Sequence, residues 1–155
     1  MIALGIVALL GCASGVVTGR VTGPGEPVAP LDMTWESGLF GESGTMTAVM
    51  PDGERFKGTY TVVRAGTPWR RVPPAWRGDE PASAQGQIDA AMWGAPEGQV
   101  NFVRAHLNKA VATLKGDRGS TMQCRFTLDD GEVGMGGGGS GLCQTSQGAK
   151  ITARF

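Results

Sequence analysis

The sequence predicts an all-β fold, a small antiparallel barrel or sandwich built of hairpins, and three observations predict it. Met122, Cys124, Phe126 and Leu128 alternate with Gln123, Arg125 and Thr127, the period-two pattern of a strand with one buried face. Residues 45–50 and 55–64 are β-prone runs on either side of Pro51-Asp52-Gly53-Glu54, a turn signature with Pro at its second position and Gly supplying a positive φ. Finally, 26 Gly and 9 Pro in 155 residues favour many turns and few long helices.

The elements follow in chain order. Residues 2–10 are apolar throughout and end in Leu9-Leu10-Gly11-Cys12. The run is too short for a membrane-spanning helix, which needs about 20 residues, and has the length of a signal-peptide core. No Lys or Arg precedes it. An internal apolar strand and an ordinary cleaved signal are the other readings of this run. Residues 12–30 open with Cys12 and, with Gly15, Gly19, Gly23, Gly25 and three prolines, read as a flexible tether. A first strand around 16–21 is the alternative. A single β domain is then expected over 31–155. It opens with the short β-prone run at Met33 and Trp35, and the hairpin around Pro51–Glu54 places Phe56 and Tyr60 on one face.

Residues 65–98 change character, because Pro and Gly interrupt every regular pattern while Trp69, Trp76 and Trp93 fall among them. This stretch reads as an irregular insertion packed over one side of the barrel or sandwich, with a helical turn near Ile88–Trp93. Val100, Val103, Leu107, Val111 and Leu114 fit helical spacing with Gly116 as a stop, yet 109–115 also reads as a strand entering a turn at 116–119. The strand is preferred for 109–115, since the run that follows it is plainly β. Ile151, Ala153 and Phe155 alternate at the end of the chain, so two last strands joined by a glycine-rich loop are expected. Those strands are too short and too few for a membrane-spanning barrel. Thr45-Met46-Thr47 before Asp52-Gly53-Glu54 is echoed by Thr121-Met122-Gln123 before Asp130-Gly131-Glu132, which a duplicated hairpin or chance explains equally.

Charge excludes one class of partner. Lys and Arg total 14, as do Asp and Glu, so nothing in the balance favours nucleic acid. The chain holds 3 cysteines. With Cys12 set apart at the end of the apolar run, Cys124 and Cys143 remain as an even pair, and a disulfide suits an oxidising compartment. Two free thiols or a metal site with His106 are the alternatives, but no Cys-x-x-Cys or His-x-x-x-His spacing supports a metal. No metal and no cofactor are expected.

Enzymatic signatures are weak. His106 is the sole histidine, so a hydrolase triad would have to use it, and its sequence neighbours suggest no partner. The stretch Gly134–Gly141 lacks the Gly-Lys-Ser/Thr of a phosphate loop, and Ser140 lacks the Gly-x-Ser-x-Gly elbow, since Leu142 stands where the last glycine belongs. Asp129-Asp130-Gly131-Glu132 lacks the alternating spacing of a calcium loop. The one biased patch interleaves Arg64, Arg70, Arg71 and Arg77 with Trp69 and Trp76. It is read either as a binding surface for glycan, anionic headgroups or a partner protein, centred on Trp69, Arg70, Arg71 and Trp76, or as a solvated loop with its tryptophans in the core.

Leu9-Leu10-Gly11-Cys12 resembles a bacterial lipobox. Gly44-x-Met46-x-Ala48 and Pro51-Asp52-Gly53-Glu54-x-Phe56-x-Gly58-x-Tyr60, followed by Gly116-Asp117-x-Gly119-x-x-Met122-x-Cys124-x-Phe126 and Gly141-x-Cys143, resemble small uncharacterised bacterial lipoproteins. The resemblance covers both β blocks but not the Pro/Trp insertion. It implies removal of residues 1–11 as a signal peptide, acylation of Cys12 and a place in the cell envelope. Ala13 in place of an aspartate points to the outer membrane, facing the periplasm. It carries no activity over. The expected function is therefore a non-enzymatic structural or binding role on a lipid anchor, with an envelope protein or glycan as partner. The alternatives are a small-ligand or glycan binder using loop 64–77 and, third, a hydrolase using His106.

Overall fold

A computed structural model describes residues 12–77 and 98–155. Eight strands close into an antiparallel barrel in simple sequence order: β1 (Ser14–Thr22), β2 (Ala29–Ser37), β3 (Ser43–Val49), β4 (Arg55–Val63), β5 (Lys109–Gly116), β6 (Thr121–Leu128), β7 (Gly139–Thr145) and β8 (Lys150–Arg154). β8 pairs back onto β1, with Arg20 opposite Thr152, so the sheet has no free edge. Short turns join β1–β2, β3–β4, β5–β6 and β7–β8 at one end. The other end carries the chain's entry at Cys12, the β2–β3 turn, the long β4–β5 connection, the β6–β7 loop and Phe155.

Alternation fills the interior. Val17, Leu31, Met33, Met46, Phe56, Tyr60, Leu114, Met122, Phe126 and Ile151 are buried inside it. Large inward side chains are set against glycines directly across the ladder: Trp35 opposite Gly15, Tyr60 opposite Gly44, Phe56 opposite Gly116 and Phe126 opposite Gly141. A β-carbon at Gly15 would lie 2.7 Å from the Trp35 indole nitrogen, and one at Gly44 2.7 Å from the Tyr60 ring. These glycines are therefore cross-strand spaces for aromatic rings rather than turn residues. An eight-stranded barrel is just wide enough for its side chains to fill, and here they fill it.

The β3–β4 turn is built as its sequence requires. The Gly53 amide donates to the Met50 carbonyl at 2.8 Å with φ at 89°, and the Asp52 carboxylate receives the Glu54 amide at 2.9 Å. Buried Glu54 then reaches across to the β5–β6 turn, accepting hydrogen bonds from the Arg118 and Ser120 amides and from the Ser120 hydroxyl. Cys124 and Cys143 are directly opposed on β6 and β7, face the interior and form a disulfide, with Cα atoms 4.0 Å apart. Both are fully buried.

Several expectations are corrected. Residues 14–22 are a barrel strand rather than tether: Val17 and Val21 are buried between β2 and β8, so the β domain begins at Ser14 and not at residue 31. The composition misled because Gly15 and Gly19 serve close packing, not flexibility. A further strand, β7, stands between the two expected last strands, and Cys143 lies on it. Its Gly139 and Gly141 are part of the ladder. Eight strands also suffice for the smallest membrane-spanning barrels, so strand number does not argue against one. Polarity does: the apolar side chains point inward, while the outward positions of β1 and β8 are Ser14, Val16, Thr18, Arg20, Thr22, Lys150, Thr152 and Arg154, the inverse of a lipid-facing wall. No helix among the described residues is long and apolar enough to cross a membrane.

The 100–115 ambiguity resolves into both elements. A helix runs from Gln99 to His106, and β5 begins at Lys109. The stop is Asn108, in the left-handed region at φ 59°, where a short amide side chain is tolerated. The buried helix face is Phe102 and His106, with Val103 partly covered, while Val100 and Leu107 face solvent. This helix, a single helical turn at Pro74–Arg77 and a 3-10 turn at Trp69–Arg71 cover the outer faces of β4 and β5 with a second small core of Val63, Val72, Trp76, Phe102 and Val111. The expected helical turn near Ile88–Trp93 lies outside the described residues.

Candidate binding surface

The residues singled out in the 64–77 segment divide between core and surface. Trp76 is buried, donates its indole N–H to the Ala112 carbonyl at 3.1 Å and packs edge-on to Phe102 and His106. It is a core residue, which corrects its assignment to a binding surface. Trp69 is half-buried against Phe102. Arg70 is exposed. Arg71 and Arg64 both pair with Glu42 on the β2–β3 turn, and Arg64 also donates to the Gly131 and Glu132 carbonyls. Much of the apparent basic patch is thus a latch between three connections at one end of the barrel.

His106 is held inside the second core, stacked on Phe102 with ring centroids 4.3 Å apart. Its Nδ1 lies 3.0 Å from the Phe102 carbonyl, which fixes the neutral ring as the Nδ1–H tautomer. Nε2 is buried without a hydrogen-bond partner among the described residues. Burial lowers its pKa, the bond to Phe102 opposes that shift, and the charges of Arg125 and Lys109 add to it. The ring packs on Phe102 and Trp76, and among the described residues no hydroxyl or thiol is bonded to it. Asp130 accepts the Glu132 and Val133 amides, so the acidic run after β6 is a turn built on its own backbone. Among the described residues no three His, Cys, Asp or Glu side chains converge as a metal site would require.

With the interior filled, concave surface is found outside it and at its ends. A cleft of about 540 Å³ sits at the short-turn end, lined by Val21, Met50, Glu54, Phe56, Ser120 and Gln147 among others. Three of its polar groups are tied to the turns: Glu54 and Ser120 hold them together, and Gln147 donates to the Ser120 hydroxyl at 3.2 Å.

A second cleft, about 530 Å³, lies on the outer wall across β6, β7, β8 and β1. Register builds it. Arg20, Thr152, Leu142 and Arg125 form one row across the four strands, and Thr18, Arg154, Ser140 and Thr127 form the next. At about 4.8 Å between strands, Arg20 and Arg125 stand roughly 14 Å apart, with Arg154 between them in the adjoining row. Small residues flank the guanidinium groups and leave the groove open. Lys150 extends the same face. The outward positions of these four strands carry Arg20, Arg125, Lys150 and Arg154 and no carboxylate, although the whole chain is balanced. Arg20 and Arg154 are exposed and make no salt bridge among the described residues. Guanidinium groups in such an array can clamp carboxylate, sulfate or phosphate oxygens in pairs.

Sequence reasoning missed this array because residues 20, 125 and 154 are far apart along the chain. Closure of β8 onto β1 brings Arg20 to Arg154, and the pairing of β7 with β6 and β8 brings Arg125 to the same face. Comparison with protein-family models, with characterised proteins and with solved structures gives no match to this chain.

Proposed function

We propose that the protein is a lipid-anchored component of a cell envelope, with a non-enzymatic binding role exercised by the outer wall of its barrel on an anionic glycan. The observation that carries the reading is the one-signed wall of β6, β7, β8 and β1. Three guanidinium groups spread over roughly 14 Å suit a chain of repeating charges better than one small anion. The filled interior supports binding outside the barrel, in place of the enclosed cavity of ligand-carrying barrels. The Leu9-Leu10-Gly11-Cys12 motif supports the anchor, and the burial of Trp76 weighs against a binding surface centred on loop 64–77. The setting of His106 supports a role without catalysis.

The test is retention of the detergent-solubilised full chain on dextran sulfate against neutral dextran. Retention on the sulfated polymer alone, falling as salt rises, is expected. It should be lost in Arg20→Gln/Arg154→Gln and kept in Arg70→Gln/Arg71→Gln. Equal loss in the two double variants would mean that charge alone governs retention, and would sink the assignment to this wall.

A further inference from the structure

The β2–β3 turn presents an unusual pair of residues. The Gly41 amide donates to the Gly38 carbonyl at 3.1 Å, so Leu39 and Phe40 occupy the two corners of a tight turn. Corners of turns ordinarily carry Asn, Asp, Ser, Gly or Pro, whose side chains or dihedrals favour the bend. Here Leu39 is 68% and Phe40 86% exposed. Neither side chain joins the core, so folding does not account for them. Val133, 56% exposed, is beside them: its neighbour Gly134 abuts the Gly41 carbonyl. Glu42 at the base of the turn is paired with Arg64 and Arg71, so its carboxylate is not left bare behind the apolar tip.

The same end of the barrel is where Cys12 emerges. Ala13 is tied to the last residue of β2, its carbonyl accepting from the Ser37 amide at 2.7 Å and its amide donating to the Ser37 hydroxyl at 3.1 Å. Ser37 directly precedes the apolar turn. No slack separates Cys12 from the barrel: one residue, Ala13, lies between it and β1, so at most roughly 7 Å of chain spans Cys12 to Ser14. An acyl group on Cys12 therefore brings this end of the barrel to the bilayer.

We propose that Leu39, Phe40 and Val133 form a membrane-docking tip that seats in the boundary between lipid headgroups and acyl chains, fixing the barrel upright on its anchor. This rests on the acylation of Cys12 given above. The lipid supplies the attachment; the tip supplies orientation, holding the short-turn end away from the membrane and the Arg20–Arg154 wall clear of it. Apolar side chains at a bilayer surface bind this shallow boundary without spanning.

The experiment uses the full acylated chain in phosphatidylethanolamine/phosphatidylglycerol vesicles, with an environment-sensitive NBD fluorophore on Phe40→Cys or, at the opposite end, on Gln147→Cys. Both positions are exposed in turns, and each introduced cysteine is the sole free thiol once Cys12 is acylated. Blue-shifted emission at 40, quenched by lipid-borne nitroxide and shielded several-fold from aqueous iodide, with water-like emission at 147, is the expected result. Equal, water-like emission at both sites while intact mass shows an acylated Cys12 would overturn the docking tip and leave the anchor standing. An unacylated Cys12 would overturn both.

Discussion

Phe126 on β6 and Gly141 on β7 face each other across the ladder inside the barrel, and the phenyl ring occupies the space that a β-carbon at 141 would need. The ring also meets Phe155 edge-on, with centroids 5.7 Å apart. The terminal aromatic is thus part of the core's closure. Gly141→Ala should cost about 1–3 kcal/mol, the usual penalty of overpacking. Urea denaturation measures it. An unchanged midpoint would mean that the ring moves aside freely.

Among the described residues Tyr60 is the largest fully buried side chain, and its hydroxyl has no hydrogen-bond partner there. Burial pushes its pKa up to about 12. Because the folded value exceeds the unfolded one, the associated stability is complete below about pH 10 and is lost as pH rises through the folded value. Tyr60→Phe deletes the unpaired group while keeping the ring opposite Gly44. Stability should rise, by up to about 1–3 kcal/mol, and the alkaline loss should shrink. A drop in melting temperature would show that the hydroxyl is satisfied in solution.

Trp76→Ala would empty the centre of the second core and remove the bond to Ala112. The expected loss is about 3–5 kcal/mol of stability, against a change within about 0.5 kcal/mol for exposed Arg70→Ala. Thermal unfolding of both variants distinguishes a packing residue from a surface contact. Equal and small effects would return Trp76 to the list of binding residues.

His106 makes this region sensitive to acid. Its folded pKa lies below the unfolded value near 6.5, so in the window beneath about 6.5 the unfolded chain takes up a proton that the folded ring refuses. The contribution is complete above that pH and disappears as pH falls through the folded value. His106→Phe keeps an aromatic ring against Phe102 and should flatten the stability profile between pH 7.5 and 5. A profile as steep as that of the parent protein would assign the acid sensitivity elsewhere.

The Cys124–Cys143 disulfide has no exposed sulfur. Dithiothreitol should leave it intact in the native protein and reduce it promptly in guanidinium chloride, because thiolate attack requires access. Mass spectrometry after alkylation reads both arms. Fast reduction without denaturant would require that β6 and β7 open readily.

Sequence by itself determined the all-β class, the β3–β4 turn and the inward faces of β4, β6 and β8, because these follow from local turn chemistry and period-two burial; the pairing of Cys124 with Cys143 was expected from cysteine number and decided by the β6–β7 register. Tertiary structure decided the rest. Whether Gly15 and Gly141 were linker, loop or strand depended on which aromatic ring lay across from them, a contact invisible to composition. Whether Val100 or Phe102 faced inward was settled by Trp76 packing on the helix. The barrel's charged wall arose only when the last strand bonded to the first, bringing Arg20 beside Thr152 and Arg154 across a separation of more than a hundred residues. Local rules specify each strand's two faces; closure alone specifies which faces become neighbours.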